Sequence, residues 1–327
     1  MKVCIYGAGA IGGHIGGHLA RSGAEVSLIA RGPHLDAIQR NGLRITGEDL
    51  DFTVKVQATD NPAELGPQDY VFITLKSHQV DGVLEKMQPL LGPETAVIPP
   101  TTGIPWWYFY GLDGPKRDRR SELLDPGGRQ WDMIGPQRAL GCAFWTAAEV
   151  PEPGVIHQDG LRASYPIGEP DGSKSARLVK LVDAMTAGGL HAPLQTDIRG
   201  QIWTKMINSL CWNQAAFLTE AINGEFGGAP DVVAVVRRMM VEMEAVAAAL
   251  GANIPVPMEK RITMTVKATD HTMSMLQDLQ RGRPIEIDVL ADSVAAMSEA
   301  AGIETPTVNA LLALTKLKGR MRGVYGR

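Results

Sequence analysis

The chain has 327 residues, of which 44% are hydrophobic and 21% charged. That is a composition for a packed core, in a chain longer than one core usually fills. With 32 basic and 36 acidic residues the net charge is −4, which argues against non-specific binding to nucleic acid or anionic membrane, since both require a basic surface.

Residues 3–6 form a short apolar run that leads into Gly7-Ala8-Gly9-Ala10-Ile11-Gly12 and a helix of small residues through Ala20. A G-x-G-x-x-G between a strand and a helix predicts a dinucleotide-binding turn. Gly7 allows the tight turn, Gly9 lets backbone approach a pyrophosphate, and Gly12 lets helix and strand pack closely. The pyrophosphate would rest on N–H groups at the helix start, so Gly7, Ala8, Gly9, Ala10, Ile11 and Gly12 form the expected cofactor cradle. An ordinary glycine-rich turn is the plainer alternative. The second strand, residues 25–30, ends without the carboxylate that bonds a ribose 2′-hydroxyl and is followed by Arg31. A guanidinium suits a 2′-phosphate, so NADP(H) is the expected cofactor.

Residues 70–75 and 96–98 read as further buried strands. Lys76 and Thr101-Thr102-Gly103 follow their carboxyl ends, where a cofactor crevice forms, so Lys76, Thr101 and Gly103 join the expected cofactor residues, although Lys76 reads equally well as a surface lysine. The stretch 95–112 is uncharged, but its Pro99, Pro100, Gly103, Pro105 and Gly111 rule out a membrane-spanning helix. Trp106, Trp107 and Tyr108 would fill a core, line the cleft or meet a second subunit, which leaves a homodimer open. Residues 111–128 read as an exposed excursion, 139–147, 154–157 and 162–167 as strands, and 173–187 as a helix. Beyond Asp197 the periodicity is helical, with long segments at 201–221, 230–250, 285–300 and 307–318.

The expected fold is therefore α/β plus all-α. A Rossmann-type doubly wound sheet spans 1–195, an all-helical substrate domain spans 196–327, and the active site lies in the cleft between them. Cys4, Cys142 and Cys211 are too few and scattered for a disulfide framework, and no His or Cys spacing predicts a metal site. The first strand begins at Lys2 with no export signal before it, so a cytoplasmic location is expected.

Within the helical half, Lys205 stands in an apolar helix with no other charge before Glu220. Desolvation there would bring a lysine toward a useful general acid, although a snorkelling lysine is the plainer reading. Asn213 follows two turns later on roughly the same face. Glu286 begins another helix, where a carboxylate is favoured electrostatically in any case.

Taken together, Gly7-Ala8-Gly9-Ala10-Ile11-Gly12-Gly13, Leu75-Lys76, Gly103-Ile104-Pro105-Trp106-Trp107, Ala148-Glu149-Val150 with Pro153-Gly154, Trp203-Thr204-Lys205, Asn213, Ser274-Met275-Leu276-Gln277-Asp278 and Glu286-Ile287-Asp288 resemble the 2-dehydropantoate 2-reductase (ketopantoate reductase) family over nearly the whole chain. The resemblance implies NADPH-dependent reduction of 2-dehydropantoate to (R)-pantoate, a step toward pantothenate and coenzyme A. It implies that Lys205 protonates the ketone oxygen, that Glu286 bonds the substrate hydroxyl and steadies the lysine, and that Ser274 holds the carboxylate. Asn213 would bond substrate, Lys76 would face the cofactor, and Arg31 would take the 2′-phosphate. Two positions depart from the family pattern: Thr102 replaces a cleft asparagine, and Ser209 replaces a second one four residues after Lys205. Each exchanges a two-way amide for a hydroxyl, which opens the alternative of a paralogue acting on another small 2-oxo or 2-hydroxy acid. A non-catalytic NADP sensor is a third reading, against which Lys205 and Glu286 both stand.

Overall fold

Alternating strands and helices in the first hundred residues fold as β1 (Lys2–Tyr6), α1 (Ala10–Arg21), β2 (Glu25–Ile29), α2 (Gly32–Asn41), β3 (Leu43–Gly47), β4 (Leu50–Val54), β5 (Gln57–Thr59), β6 (Gln68–Ile73), the short α3 (Ser77–Val80) and α4 (Leu84–Met87), and β7 (Leu91–Ile98). The computed structural model describes residues 1–100 and 102–326, with nothing stated of the Leu161 and Arg162 side chains. The expected cofactor residue Thr101 lies outside the described residues. Five of these strands form one parallel sheet in the order β5-β2-β1-β6-β7. Both faces are covered, so β1 reads as a continuous apolar run, with Val3, Cys4 and Ile5 fully buried.

The later strands do not extend that sheet. After α5 (Arg129–Met133) come β8 (Gly141–Cys142), β9 (Trp145–Glu149), β10 (Val155–Ser164), β11 (Ile167–Gly168) and α6 (Ala176–Ala187). A second sheet runs β4-β3-β10-β9, with β10 parallel to β3 and antiparallel to β9. The strands within 43–59, and with them this sheet, are additions to the fold expected from the sequence. Its β4 has the alternating, half-covered pattern of Leu50-Asp51-Phe52-Thr53-Val54, which is short and weak as a local signal.

Helix α1 packs against both sheets, and its glycines make that possible. A Cβ on Gly12 would lie 2.8 Å from Ile5 of β1, and one on Gly16 2.9 Å from Leu28 of β2. On the adjacent face, Cβ atoms at Gly13 and Gly17 would lie 2.7 and 2.6 Å from Ile156 of β10 and Ile45 of β3. Two pairs at i, i+4 therefore give the helix two bare faces. The Trp106–Phe109 run is buried, which gives these aromatics a core role.

The chain divides into two compact units, Met1–Thr101 with Pro105–Ile198, and Thr102–Ile104 with Arg199–Arg327. The second is helical: α7 (Ile198–Thr219), α8 (Pro230–Ala249), α9 (Met258–Lys267), α10 (Ser274–Gln280), α11 (Ile287–Ala301) and α12 (Pro306–Met321). Its core joins Trp203, Leu210, Trp212 and Phe217 of α7 with Met239, Met240 and Met243 of α8 and Leu290, Val294 and Met297 of α11, all buried. Among the described residues no helix is long and apolar enough to cross a membrane.

Candidate active site

In the first unit the turn from β1 into α1 is held tightly. The Gly7 and Ala8 N–H groups donate to Ile29 O at 3.2 and 3.0 Å, and Thr74 Oγ1 donates to Gly7 O at 2.6 Å. Gly7 takes a φ of +111°, and a Cβ there would meet Leu75 Cδ2 at 2.8 Å, so no other residue fits the turn. A Cβ on Gly12 would fall 2.2 Å from Gly7 O. Gly9 is the opposite case: a Cβ on it would meet nothing within 4 Å. Open space over Gly9 and first-turn N–H groups with no intrahelical acceptor fit an approaching phosphate.

Arg31 is exposed at the N-cap of α2, whose first turn contains no acidic residue. Lys76, half-buried, caps α3, and its backbone N–H donates to Gln79 Oε1 at 3.3 Å. Sequence reasoning passed over His34, which stands on α2 three residues after Arg31. Its Nε2 lies 2.7 Å from Ala8 O in the glycine-rich turn, and its Nδ1 accepts from the Gly154 N–H at 3.0 Å.

In the second unit Lys205, Ser209 and Asn213 recur every four residues on α7 and form one stripe. Lys205 and Ser209 are half-buried and Asn213 is buried. The Asn213 amide donates to Ser209 O at 2.8 Å. Its Oδ1 accepts from Ser274 Oγ at 3.2 Å and from Met275 N–H at 2.9 Å. The asparagine thus caps the start of α10 from a neighbouring helix, where Met273 at the N-cap offers no side-chain acceptor. Three expected substrate residues, Ser209, Asn213 and Ser274, are brought together. Asn213 keeps a second amide N–H to offer.

Asn208, one position from Ser209, faces elsewhere. Its Oδ1 accepts from Arg261 Nη1 at 3.0 Å. Arg261 is buried, also donates to Val256 O at 3.0 Å, and pairs with Glu244. Burial pushes the Arg261 guanidinium below its usual range and raises the Glu244 carboxyl. This cluster fixes the rotation of α7 about its axis, and nothing in the sequence marked it.

Glu286 stands half-buried at the N-cap of α11. Seven residues on, on the same helix face, Ser293 Oγ accepts the Ile104 N–H at 2.8 Å and donates to Val289 O at 2.7 Å. A Cβ on Gly103 would meet Ser293 Oγ at 2.5 Å, and the residue has a φ of +80°. Packing on α11 therefore requires Gly103, whatever its part in holding a cofactor. Thr102 begins this clasped segment and is thereby placed in the unit that contains Glu286. Among the described residues no cluster of His, Cys, Asp and Glu is placed to hold a metal ion.

Comparison with known proteins matches residues 3–104 to the family model for ketopantoate reductase PanE/ApbA and residues 197–319 to the model for its C-terminal part. A curated 2-dehydropantoate 2-reductase from Mesorhizobium japonicum is 41% identical over 99% of this chain and 100% of its own. A solved structure from Ralstonia solanacearum assigned to the ketopantoate reductases superposes with a TM-score of 0.90 at 35% identity, over 99% of each chain. A D-mandelate dehydrogenase, solved with NADH and anilino(oxo)acetate, shares the fold with a TM-score of 0.81 at 22% identity, over 99% of this chain and 100% of that one.

Proposed function

Since the chain belongs to the ketopantoate reductase family PanE/ApbA, we propose that it reduces 2-dehydropantoate to (R)-pantoate with NADPH, as a cytoplasmic step toward pantothenate. The observation that carries this reading is the polar stripe Lys205–Ser209–Asn213, tied through Asn213 to Ser274. It puts an ammonium group, with no other charged residue between it and Glu220, in line with groups suited to a polyoxygenated acid.

Residues 1–195 are the cofactor half and 196–327 the substrate half. The first-turn N–H groups of α1 would hold the pyrophosphate, Arg31 the 2′-phosphate, and Lys76 the cofactor side of the carbonyl. Held there, the nicotinamide cofactor would supply the hydride that the ketone carbon receives. As charge builds on the ketone oxygen, Lys205 Nζ stabilises it and donates the proton, so no alkoxide has to persist. Glu286 accepts from the substrate hydroxyl and keeps the ammonium oriented. The remaining Asn213 N–H binds the carboxylate end, joined by the Ser274 hydroxyl once its one proton turns from Asn213 Oδ1 to the carboxylate, with Thr102 and Ser209 completing the polar contacts.

The test follows NADPH absorbance with purified protein and 2-dehydropantoate, beside NADH and a panel of branched, unbranched and aryl 2-oxo acids. Rapid NADPH-selective turnover of 2-dehydropantoate is expected, and Lys205→Ala is expected to bind NADPH but abolish turnover; unchanged turnover in that variant would sink the mechanism. The hydroxyls at Thr102 and Ser209 favour a second reading, the same chemistry on a different small 2-oxo acid. A cofactor-binding protein that ignores 2-dehydropantoate yet turns over one member of the panel would establish it.

A further inference from the structure

The geometry points to His34 as a positioning residue that fixes the glycine-rich turn relative to Arg31 and so sets the preference for a 2′-phosphate over a 2′-hydroxyl; this rests on the NADPH reading above. The ring has one usable tautomer. Nδ1 receives the Gly154 N–H and so carries no proton, and Nε2 carries the proton and donates it to Ala8 O. Burial holds the imidazole below its ordinary acidity range, in the direction that keeps the ring neutral.

Three elements meet on this one ring. Ala8 is the middle residue of Gly7-Ala8-Gly9 and is held from its other side by Ile29 O. His34 lies in the first turn of α2, directly after the Arg31 N-cap. Gly154, at a φ of +82°, packs against the same helix, since a Cβ on it would lie 3.0 Å from Ala37 Cβ. A dinucleotide with a 2′-phosphate is gripped at two points, the first turn of α1 and Arg31. Discrimination depends on their separation, and a rigid planar ring bonded at both edges fixes that distance better than the exposed chain at Arg31 does. A cofactor without the 2′-phosphate uses only the first grip and does not sense the separation.

The experiment measures NADPH and NADH dissociation constants by fluorescence for the wild-type protein, His34→Phe, Arg31→Ala and the double variant. His34→Phe is expected to weaken NADPH roughly tenfold and NADH no more than about threefold, as expected for two lost hydrogen bonds that position a charged contact. The KM for the 2-oxo acid is expected to stay as it was. In the Arg31→Ala background His34→Phe is expected to cost NADPH no more than it costs NADH, because the contact it positions is gone. His34→Gln, whose amide still reaches for Ala8 O, is expected to recover part of the preference, and it carries the same test if the Phe variant does not fold. Equal losses for both cofactors, additive losses in the double variant, or an unaltered NADPH affinity overturn the inference. The cofactor reading fails separately, through a wild-type protein that prefers NADH or an Arg31→Ala variant that retains its NADPH affinity.

Discussion

Gly9 and Gly12 stand one helical turn apart and are expected to fail in opposite ways when given a methyl group. Gly9 has φ −70° and ψ −164°, a conformation open to any residue, and nothing lies within 4 Å of its missing Cβ. Gly9→Ala is expected to melt within a degree or two of wild type, roughly what a surface change costs, yet lose NADPH affinity about tenfold because the methyl occupies the phosphate's approach. Gly12→Ala puts its Cβ 2.2 Å from Gly7 O and 2.3 Å from Thr74 Oγ1. That variant is expected to lose on the order of 3 kcal/mol of stability by overpacking. Thermal melts beside fluorescence titrations separate the two; a Gly9→Ala protein that binds normally would remove the loop from the cofactor site. The turn at Gly7 and the packing at Gly12 were legible in the sequence, because the spacing of the motif encodes both within six consecutive residues. His34 was not, since its partners lie 26 and 120 residues away and a histidine in a first helical turn has no distinctive local signature.

The elements of the second unit show where sequence reading reaches its limit. Long apolar runs gave α7, α8, α11 and α12 within a few residues, because each buries a broad face of its own. The short α10 depends on an asparagine 61 or 62 residues earlier to cap it, and no local pattern announces a cap supplied from another helix. The clasp between Ser293 and Ile104 spans 189 residues and was equally hidden. Ser293→Ala leaves a buried Ile104 N–H without its acceptor, at an expected cost of about 1–3 kcal/mol. It also loosens Thr102. The KM for the 2-oxo acid is expected to rise severalfold while NADPH affinity holds; steady-state kinetics that show both constants unmoved would take Thr102 out of the substrate contacts.

At the scale of the whole molecule, the first unit contains a buried pair of histidines on α1. His14 is bonded through Nε2 to Gln158 Oε1 at 2.6 Å and through Nδ1 to the Tyr165 hydroxyl at 2.7 Å, and His18 bonds Gly188 O at 2.8 Å. Their rings lie 4.6 Å apart. Burial, and then the charge His18 would carry, lower His14 to about 4 from its ordinary 6.5, and burial lowers His18 as well. The unfolded chain therefore takes up protons at a higher pH than the folded one. The contribution of this pair to stability is fully present above pH 6.5 and is lost as the pH drops toward 4, by about 3 kcal/mol for His14 alone. Urea unfolding at pH 7.5 and 4.5 is expected to show this loss, and His14→Gln is expected to flatten the slope; equal slopes in the two proteins would refute the assignment to His14.

The position of α1 between two sheets also has a consequence in time. The parallel sheet is complete in sequence by Ile98, but one wall of α1 is β10, which begins at Val155. A chain emerging from the ribosome thus carries the whole glycine-rich motif long before the strand that Gly13 packs against exists. At about 5–20 residues per second the gap lasts several seconds. During that interval the Gly13 face of α1 and the edge of β3 that pairs with β10 stay uncovered, so the nascent chain is at its most adhesive while its nucleotide motif is already fully synthesised. Acquisition of cofactor binding then reports the docking of β10, and a ribosome-bound chain arrested before residue 155 is expected to capture no nucleotide.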